Sequence, residues 1–191
     1  QLAGRPHSAA RTITAYGPNV PLPAVVHSWQ RPKADHADSA ALEVLSRILS
    51  SGQSSRLYRT VVYDRQLAQS AGAINYCLEE SGLFAVNAIV ASGKEPAEVE
   101  AAIDAEVARV RNERVSDAEL REAITEYVSD ELFDRETPTG RAETLAQGVI
   151  NADDPRWSDA MLAAVQRVTA ADVQRIARQY LSENRRVALR Y

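Results

Sequence analysis

Apolar positions recur every three or four residues along much of the chain, which is the period of an amphipathic helix. The first such stretch predicts a helix from about Asp35 to Ser50, capped by Asp35 or Asp38 and ended by Gly52. A second helix follows from Ser54 to about Arg65. The inward faces carry leucines and valines: Leu42, Leu45 and Leu49 in the first helix, and Leu57, Val61 and Val62 in the second.

The second half of the chain is mostly helical. Pro96 opens one helix at its first turn, and Ser116 with Glu119 forms a capping box for the next, which runs to about Phe133. Thr137-Pro138 and Asp154-Pro155 each resemble a cap followed by proline at the first helical position. Thr169 caps the last helix, whose apolar stripe is Val173, Ile176, Ala177, Tyr180 and Leu181.

Alternating or β-branched runs predict five strands: Arg11 to Tyr16, Ala24 to Gln30, Ala68 to Leu78, Leu83 to Ala91, and Arg186 to Tyr191. The third and fourth are joined by the four residues 79–82, a spacing typical of a β-hairpin. Both alternating sets of the fourth strand are largely apolar, so we expect that strand to be central and covered on both faces.

The order β-β-α-α-β-β, then helices, then β predicts an α+β fold with an antiparallel sheet and helices packed mainly on one face. With no repeat and no low-complexity linker, residues 1–191 are interpreted as a single domain. We expect residues 1–10 to be a mobile leader and the chain to be the C-terminal fragment of a longer protein. A partner domain or subunit would then cover the open side of the sheet, and the fragment alone is expected to form a homodimer through it.

Composition narrows the class of protein without naming a function. The formal charge of -4 argues against a nucleic-acid surface, and no apolar stretch approaches the roughly 20 residues that span a bilayer. The single cysteine, Cys77, excludes an internal disulfide and is compatible with either an oxidising compartment, such as a periplasm, or a reducing one, such as a cytoplasm.

No residue pattern predicts catalysis or metal binding. The histidines His7, His27 and His36 have no histidine partner at helical spacing, so a structural role is expected for each. Cys77 is interpreted as a small apolar strand residue, and the serine-rich turn 50–55 lacks the strand and spacing of a nucleophile elbow. Solvation and capping explain the paired carboxylates, and we expect the terminal arginines Arg185, Arg186 and Arg190 to form a solvated face.

A longer segment resembles a known family. "SAALEVLSRILSSGQSSRLYRTVVYDRQLAQSAGA", Ser39 to Ala73, is similar to the opening of the second domain in the pitrilysin/insulinase zinc metallopeptidases. That domain shows a helix ending in Leu-(small)-Gly, then Ser-Ser-Arg-Leu-(aromatic), then a Leu-Ala step into a strand. Val115 to Ala123 resembles the family's capped helix, and Arg167 to Leu189 its closing helix and strand, so the resemblance covers nearly the whole chain beyond Ala10.

The resemblance implies a metalloprotease- or processing-peptidase-like domain without catalytic residues. In that family zinc is held by an H-x-x-E-H domain, whose motif glutamate acts as general base. This chain contains no H-x-x-E-H, so it is similar to the non-catalytic C-terminal partner domain, which helps close the substrate chamber. Zinc is then expected in a missing N-terminal domain, and the implied partners are that domain, a homologous subunit and a peptide substrate.

Active partner domains of the family often carry an arginine and a tyrosine seven residues apart, the tyrosine directly after the Leu-Ala step. The matching positions here are Val62 and Gln69, and neither supplies the same group. Arg56 and Tyr63 are also seven apart, but in the wrong register. The departure suggests that the parent protein is the zinc-bearing chain of a two-chain enzyme, with the pair supplied by another subunit.

Two other functions remain open on the sequence. The absent pair fits equally well a scaffold or assembly subunit of the same fold, such as the core subunits of respiratory complexes. A third possibility is an α+β domain that binds a partner through the doubly apolar strand Leu83 to Ala91.

Overall fold

Five strands form one sheet in the computed structural model, which describes residues 9–18, 20–77 and 80–191. They are β1 (Arg11–Thr14), β2 (Ala24–Arg31), β3 (Ala68–Cys77), β4 (Gly82–Val90) and β5 (Val187–Arg190). Their order across the sheet is β1-β5-β2-β4-β3. Three of the pairings are antiparallel as predicted, but β1 and β5 run parallel. These two strands come from opposite ends of the chain, so no local pattern sets their relative direction.

Six α-helices and one π-helix lie in the described part of the chain. They are α1 (Ser39–Ser50), the π-helix (Tyr58–Asp64), α2 (Pro96–Asn112), α3 (Asp117–Asp134), α4 (Pro138–Ala152), α5 (Trp157–Val165) and α6 (Ala170–Tyr180). A short 3-10 turn, Glu183–Arg185, precedes β5. The predicted order of elements, and with it the α+β fold class, is confirmed.

Three predicted helix starts are wrong. The helix expected from Ser54 begins at Arg56 and continues as the π-helix. The helix expected at Pro155 begins at Trp157, because the Asp154 carboxylate accepts a hydrogen bond from the Arg156 amide (2.8 Å) and holds a turn. The helix expected from Asp35 begins at Ser39, after turns through residues 34–38.

Asp38 occupies the N-cap position of α1, but its side chain does not cap the helix. Its carboxylate accepts hydrogen bonds from the Arg175 guanidinium and the Tyr180 hydroxyl, both at 2.7 Å. Burial pushes the pKa of Asp38 upward, and these two bonds outweigh it and lower the pKa. The residue therefore ties the start of α1 to α6.

The core lies between one face of the sheet and the helices. On that face β2 contributes Val25 and Trp29, β4 contributes Phe84 and Val86, and all four are buried. Helices α1, α2 and α6 cover them, and the predicted leucine face of α1 is fully buried. Because burying a leucine side chain stabilises a fold by about 1.5–3 kcal/mol, this single layer holds the domain together. The predicted packing of helices on one face is confirmed.

The opposite face of the sheet is bare in the described residues, so the expectation that β4 is covered on both sides is wrong for this chain. Strand β4 is central, between β2 and β3, but Leu83 on its bare side is exposed. Large apolar residues from all five strands share this side: Ile13, Val26, Ile74, Tyr76, Leu83, Ile89, Val187 and Leu189. We call this surface the bare sheet face.

Some expectations fall outside the described residues. Most of the leader predicted over residues 1–10 does so, as does part of the four-residue loop predicted at 79–82. Strand β4 begins at Gly82, the last residue assigned to that loop.

Candidate functional site

The two positions matched to the family's arginine and tyrosine lie on neighbouring elements with unusual backbones. Val62 is in the π-helix, half-buried and packed against the core. Gln69 is exposed at the start of β3, where the pairing with β4 shifts register between Ala68 and Ser70. A π-helix and a β-bulge both recur at functional sites in proteins.

A sharp reversal brings these two elements together. Gln66 has a left-handed backbone (φ 51°), and the Leu67 amide then donates to the Val61 carbonyl at 2.9 Å. The Leu67 carbonyl accepts from the Ala91 amide, also at 2.9 Å, which joins the turn to the end of β4. With Leu67 and Ala68 buried, the Leu-Ala step anchors the π-helix against β3 and leaves Gln69 facing solvent.

The side chains at this site cannot supply charge. Val62 has no polar atom, and Gln69 offers only a neutral amide. The assignment of Val62 and Gln69 to the family's substrate-binding pair stays a prediction. If the assignment is right, any stabilisation of a developing oxyanion must come from residues other than Val62 and Gln69.

The alternative pair, Arg56 and Tyr63, has a different arrangement. The Arg56 guanidinium donates two hydrogen bonds to the Glu119 carboxylate, at 2.7 and 3.2 Å. Burial alone would raise the pKa of Glu119, but the bonds from Arg56 and Ser116 outweigh it and lower the pKa to about 2. Arg56 therefore holds the turn before the π-helix against the capped start of α3, and Tyr63 is exposed on the π-helix.

Each of the two described histidines contacts an aspartate residue. His27 is buried on β2 with Nδ1 at 3.1 Å from an Asp104 carboxylate oxygen, and the His36 Nδ1 accepts from the Asp38 amide at 3.1 Å. His7 lies outside the described residues. Among residues 9–18, 20–77 and 80–191, no group of three or more histidine, cysteine, aspartate and glutamate side chains could hold a metal ion.

The prediction of a solvated arginine face at the C-terminus missed two ion pairs, although Arg190 is exposed as expected. Arg186 is bonded to Asp104, and Arg190 donates two hydrogen bonds to Glu100, at 2.7 and 2.6 Å. Both acids lie on α2, so the two arginines clamp β5 to that helix. The sequence could have suggested this, since Glu100 and Asp104 are one turn apart on one helix face.

Helix α4 carries a second uncovered apolar surface. Residues at positions 142, 145, 146, 149 and 150 lie on one side of it and are exposed, with Leu145 at 53%, Val149 at 50% and Ile150 at 61%. The side that contacts α3 and α5 contains small or polar residues, including the buried Gly148 and Asn151. We call the exposed side the outer stripe of α4. No helix in the described part of the chain is long and apolar enough to cross a membrane.

Comparison with known proteins places the chain in a family. The model of the Peptidase M16 inactive domain matches residues 3–127. The chain is 25% identical over 177 residues to the zinc protease PqqE of Helicobacter pylori, and the match covers 91% of this chain but 39% of that protein.

Solved structures share the fold. A protease from Helicobacter pylori superposes with a TM-score of 0.92 at 22% identity, covering 97% of this chain and 45% of its own. The inactive peptidase domain of a proposed zinc protease from Bordetella parapertussis gives 0.81 at 22% identity, covering 94% and 93%. This chain thus spans less than half the length of the Helicobacter proteins, but nearly all of a domain crystallised separately. It belongs to the Peptidase M16 inactive domain family, found in zinc-protease-like proteins.

Proposed function

We propose that this chain is the non-catalytic C-terminal domain of a zinc endopeptidase, that it forms part of the substrate chamber, and that it binds a zinc-bearing half carrying H-x-x-E-H. The observation that carries the proposal is the bare sheet face. Sheets with one solvated face normally alternate apolar and polar positions, whereas here the uncovered side is mainly apolar. Such a surface marks an interface.

The outer stripe of α4 supports the same partner. If the zinc-bearing half is the similar α+β domain that the family resemblance implies, each half offers one bare sheet and one outward apolar helix. A helix with an apolar stripe packs stably on an apolar sheet, so each half can cover the other. The length of the Helicobacter relatives leaves room for such a half.

The lack of charge at Val62 and Gln69 refines the proposal. This domain would shape and close the chamber, and an arginine and tyrosine would come from a homologous subunit. The same lack supports a second candidate, a scaffold subunit of this fold without peptidase activity. Only the peptidase requires H-x-x-E-H in the residues encoded before Gln1. If the gene lacks that motif, the scaffold function is favoured instead.

The test uses the full-length product of the same gene with its homologous subunit. We expect one zinc ion per zinc-bearing chain and chelator-sensitive hydrolysis of a quenched fluorescent peptide. Leu83→Asp on the bare sheet face is expected to separate the two halves expressed as individual chains, as measured by sedimentation. Ser92→Asp in the exposed turn after β4, outside the bare sheet face, is the control. Equal association of both variants would refute the interface.

A further inference from the structure

Strand β3 is an edge without the usual protection. It lies at one end of the sheet, and its ten residues, AQSAGAINYC, contain no charged residue and no proline. Natural edge strands are usually blocked by lysine, proline, inward charges or a covering element, because free backbone groups recruit other strands. Apart from the bulge at Gln69, β3 has none of the protective residues just named: no lysine, no proline and no inward charge.

The alternation of backbone hydrogen bonds along β4 shows which amides and carbonyls of β3 face outward. The Val90 amide donates to Pro23 at the β2 side, and the Ala91 amide donates to Leu67 at the β3 side. Because antiparallel ladders alternate, the odd residues of β4 bond to β3. Their partners are Ser70, Gly72, Ile74 and Tyr76. The amides and carbonyls of the intervening residues, Ala71, Ala73, Asn75 and Cys77, therefore point away from the sheet.

These outward groups are largely unoccupied. In the described residues no backbone group outside the sheet pairs with them, and one side chain does so: the Ser50 hydroxyl donates to the Ala73 carbonyl at 3.3 Å. That hydroxyl also donates to Ser46 at the shorter distance of 2.9 Å, so its bond to Ala73 is the weaker of the two.

The side chains of β3 suit a paired strand. Ser70 and Gly72 are small and leave the first half of the edge open. Ile74 and Tyr76 stand two residues apart on the bare sheet face, with exposed fractions of 47% and 57%. Alternate side chains of an added strand would lie beside them and gain cross-strand contact.

We propose that the outer edge of β3, residues 71–77, binds an extended polypeptide by strand addition. The proposal rests on the proposed function, because a peptidase chamber is where an extended peptide would be present. The edge starts next to Gln69 and the π-helix, so a peptide along it passes the candidate site. One seven-residue edge is far smaller than the roughly 20–30 residues per side of a stable interface. That size suits transient capture of a peptide and not a dimer of two such chains.

The test measures binding with this chain alone, without zinc or hydrolysis. The Bordetella relative shows that such a domain can be prepared by itself. The probe is a fluorescein-labelled peptide of twelve residues, alternating valine and threonine with a lysine at each end. Saturating peptide is expected to slow hydrogen exchange at the amides of Ala71, Ala73, Asn75 and Cys77 by about tenfold or more. The amides of Ser70, Gly72, Ile74 and Tyr76, already in the ladder, should change little.

The decisive variant is Ala73→Pro. The substitution removes an outward-facing amide donor and keeps the bonds to β4. Edge strands tolerate proline at such a position, because its amide does not bond within the sheet. Anisotropy is expected to show binding weakened by about tenfold, with a near-native melting temperature. The matched control is Thr12→Pro on the other edge strand, β1, where the amides of Arg11 and Ala15 face β5 and that of Thr12 faces outward. It should leave binding unchanged.

Equal binding by wild type and Ala73→Pro, or no protection of the outward amides, would overturn the proposal. So would protection that appears without peptide and rises with protein concentration, since this would make a second copy the occupant. If strand addition fails but the full-length enzyme still hydrolyses peptide, the proposed function stands. If the full-length protein is inactive and free of zinc but its β3 edge still binds the probe, the proposed function alone is refuted.

Discussion

Helices α4 and α6 carry apolar stripes of the same period but direct them oppositely. In α6 the stripe faces the core, and Val173, Ile176 and Ala177 are completely buried. In α4 the stripe faces away from the domain, and Leu145, Val149 and Ile150 are each at least half exposed. Hydrophobic periodicity thus predicts that a helix has a partner without saying whether that partner lies in the same domain. For α4 it does not.

The largest expected difference comes from truncating one isoleucine in each stripe. Ile176→Ala should lower the free energy of unfolding by about 2–5 kcal/mol, because it leaves a cavity in the core. Ile150→Ala should change it by less than about 0.5 kcal/mol, since that side chain is exposed. Urea denaturation of the isolated chain measures both. A large loss for Ile150→Ala would mean that α4 packs inward.

The caps of the two helices offer a smaller contrast. The Thr169 hydroxyl accepts from the Asp172 amide, and the Asp172 carboxylate bonds back to Thr169, a complete capping box on α6. Thr137 caps α4 through one bond, from the Gly140 amide at 3.0 Å. We expect Thr169→Ala to cost about 1–2 kcal/mol and Thr137→Ala about 0.5–1 kcal/mol. Equal losses in denaturant melts would show that the second bond of the Thr169 hydroxyl, which it donates to the Asp172 carboxylate, adds nothing.

Acid should distinguish the same two caps. The hydrogen bond from the Thr169 hydroxyl, aided by its amide, lowers the pKa of Asp172. A depressed carboxyl pKa stabilises the fold above the ordinary aspartate value of 3.8 and loses that contribution as pH falls through the folded value. The stability gap between wild type and Thr169→Ala should therefore narrow below about pH 4. The Thr137 cap contains no carboxylate, so the gap for Thr137→Ala should stay constant in the same pH series.

The smallest effect on stability is expected on the outer stripe of α4, where the effect on association should be large. Leu145→Gln should leave the melting temperature of the isolated chain unchanged, because the site is exposed. Binding to the zinc-bearing half should weaken by about tenfold, since an interface apolar group is lost. Gln147→Glu, which lies roughly 130° around the helix from the centre of the stripe and keeps the acceptor for Asn151, is the control. Titration calorimetry with both variants would refute this use of the stripe if Leu145→Gln bound normally.

Local signals in the sequence predicted the elements that depend on neighbouring residues. Three predicted caps lie where helices begin: the box of Ser116 with Glu119, the pair Thr137-Pro138, and Thr169. Each of these three signals is complete within four residues and is kept in the fold, whereas the carboxylate of the predicted cap Asp38 bonds to Arg175 and Tyr180 instead. The leucine face of α1 was predicted for the same reason, as a full two-turn stripe.

The features that the sequence did not reveal depend on distant partners. Direct pairing of β1 with β5 joins residues 11 and 187, and the clamp of Arg186 and Arg190 on α2 spans more than eighty positions. The candidate site combines both kinds of signal. Motif order located Val62 and Gln69, but the π-helix and the bulge depend on how Leu67 docks between Val61 and Ala91. Sequence patterns carry no record of that docking.

Strand β5 lies between β1 and β2 although it is the last strand of this sequence. During synthesis β1 has no neighbour to pair with until residues 187–190 leave the exit tunnel, so that side of the sheet stays open until the helices between them have been made. A frameshift that replaced residues 187–190 would leave β1 unpaired as well, and quality-control proteases would meet a loose segment at each end of the domain.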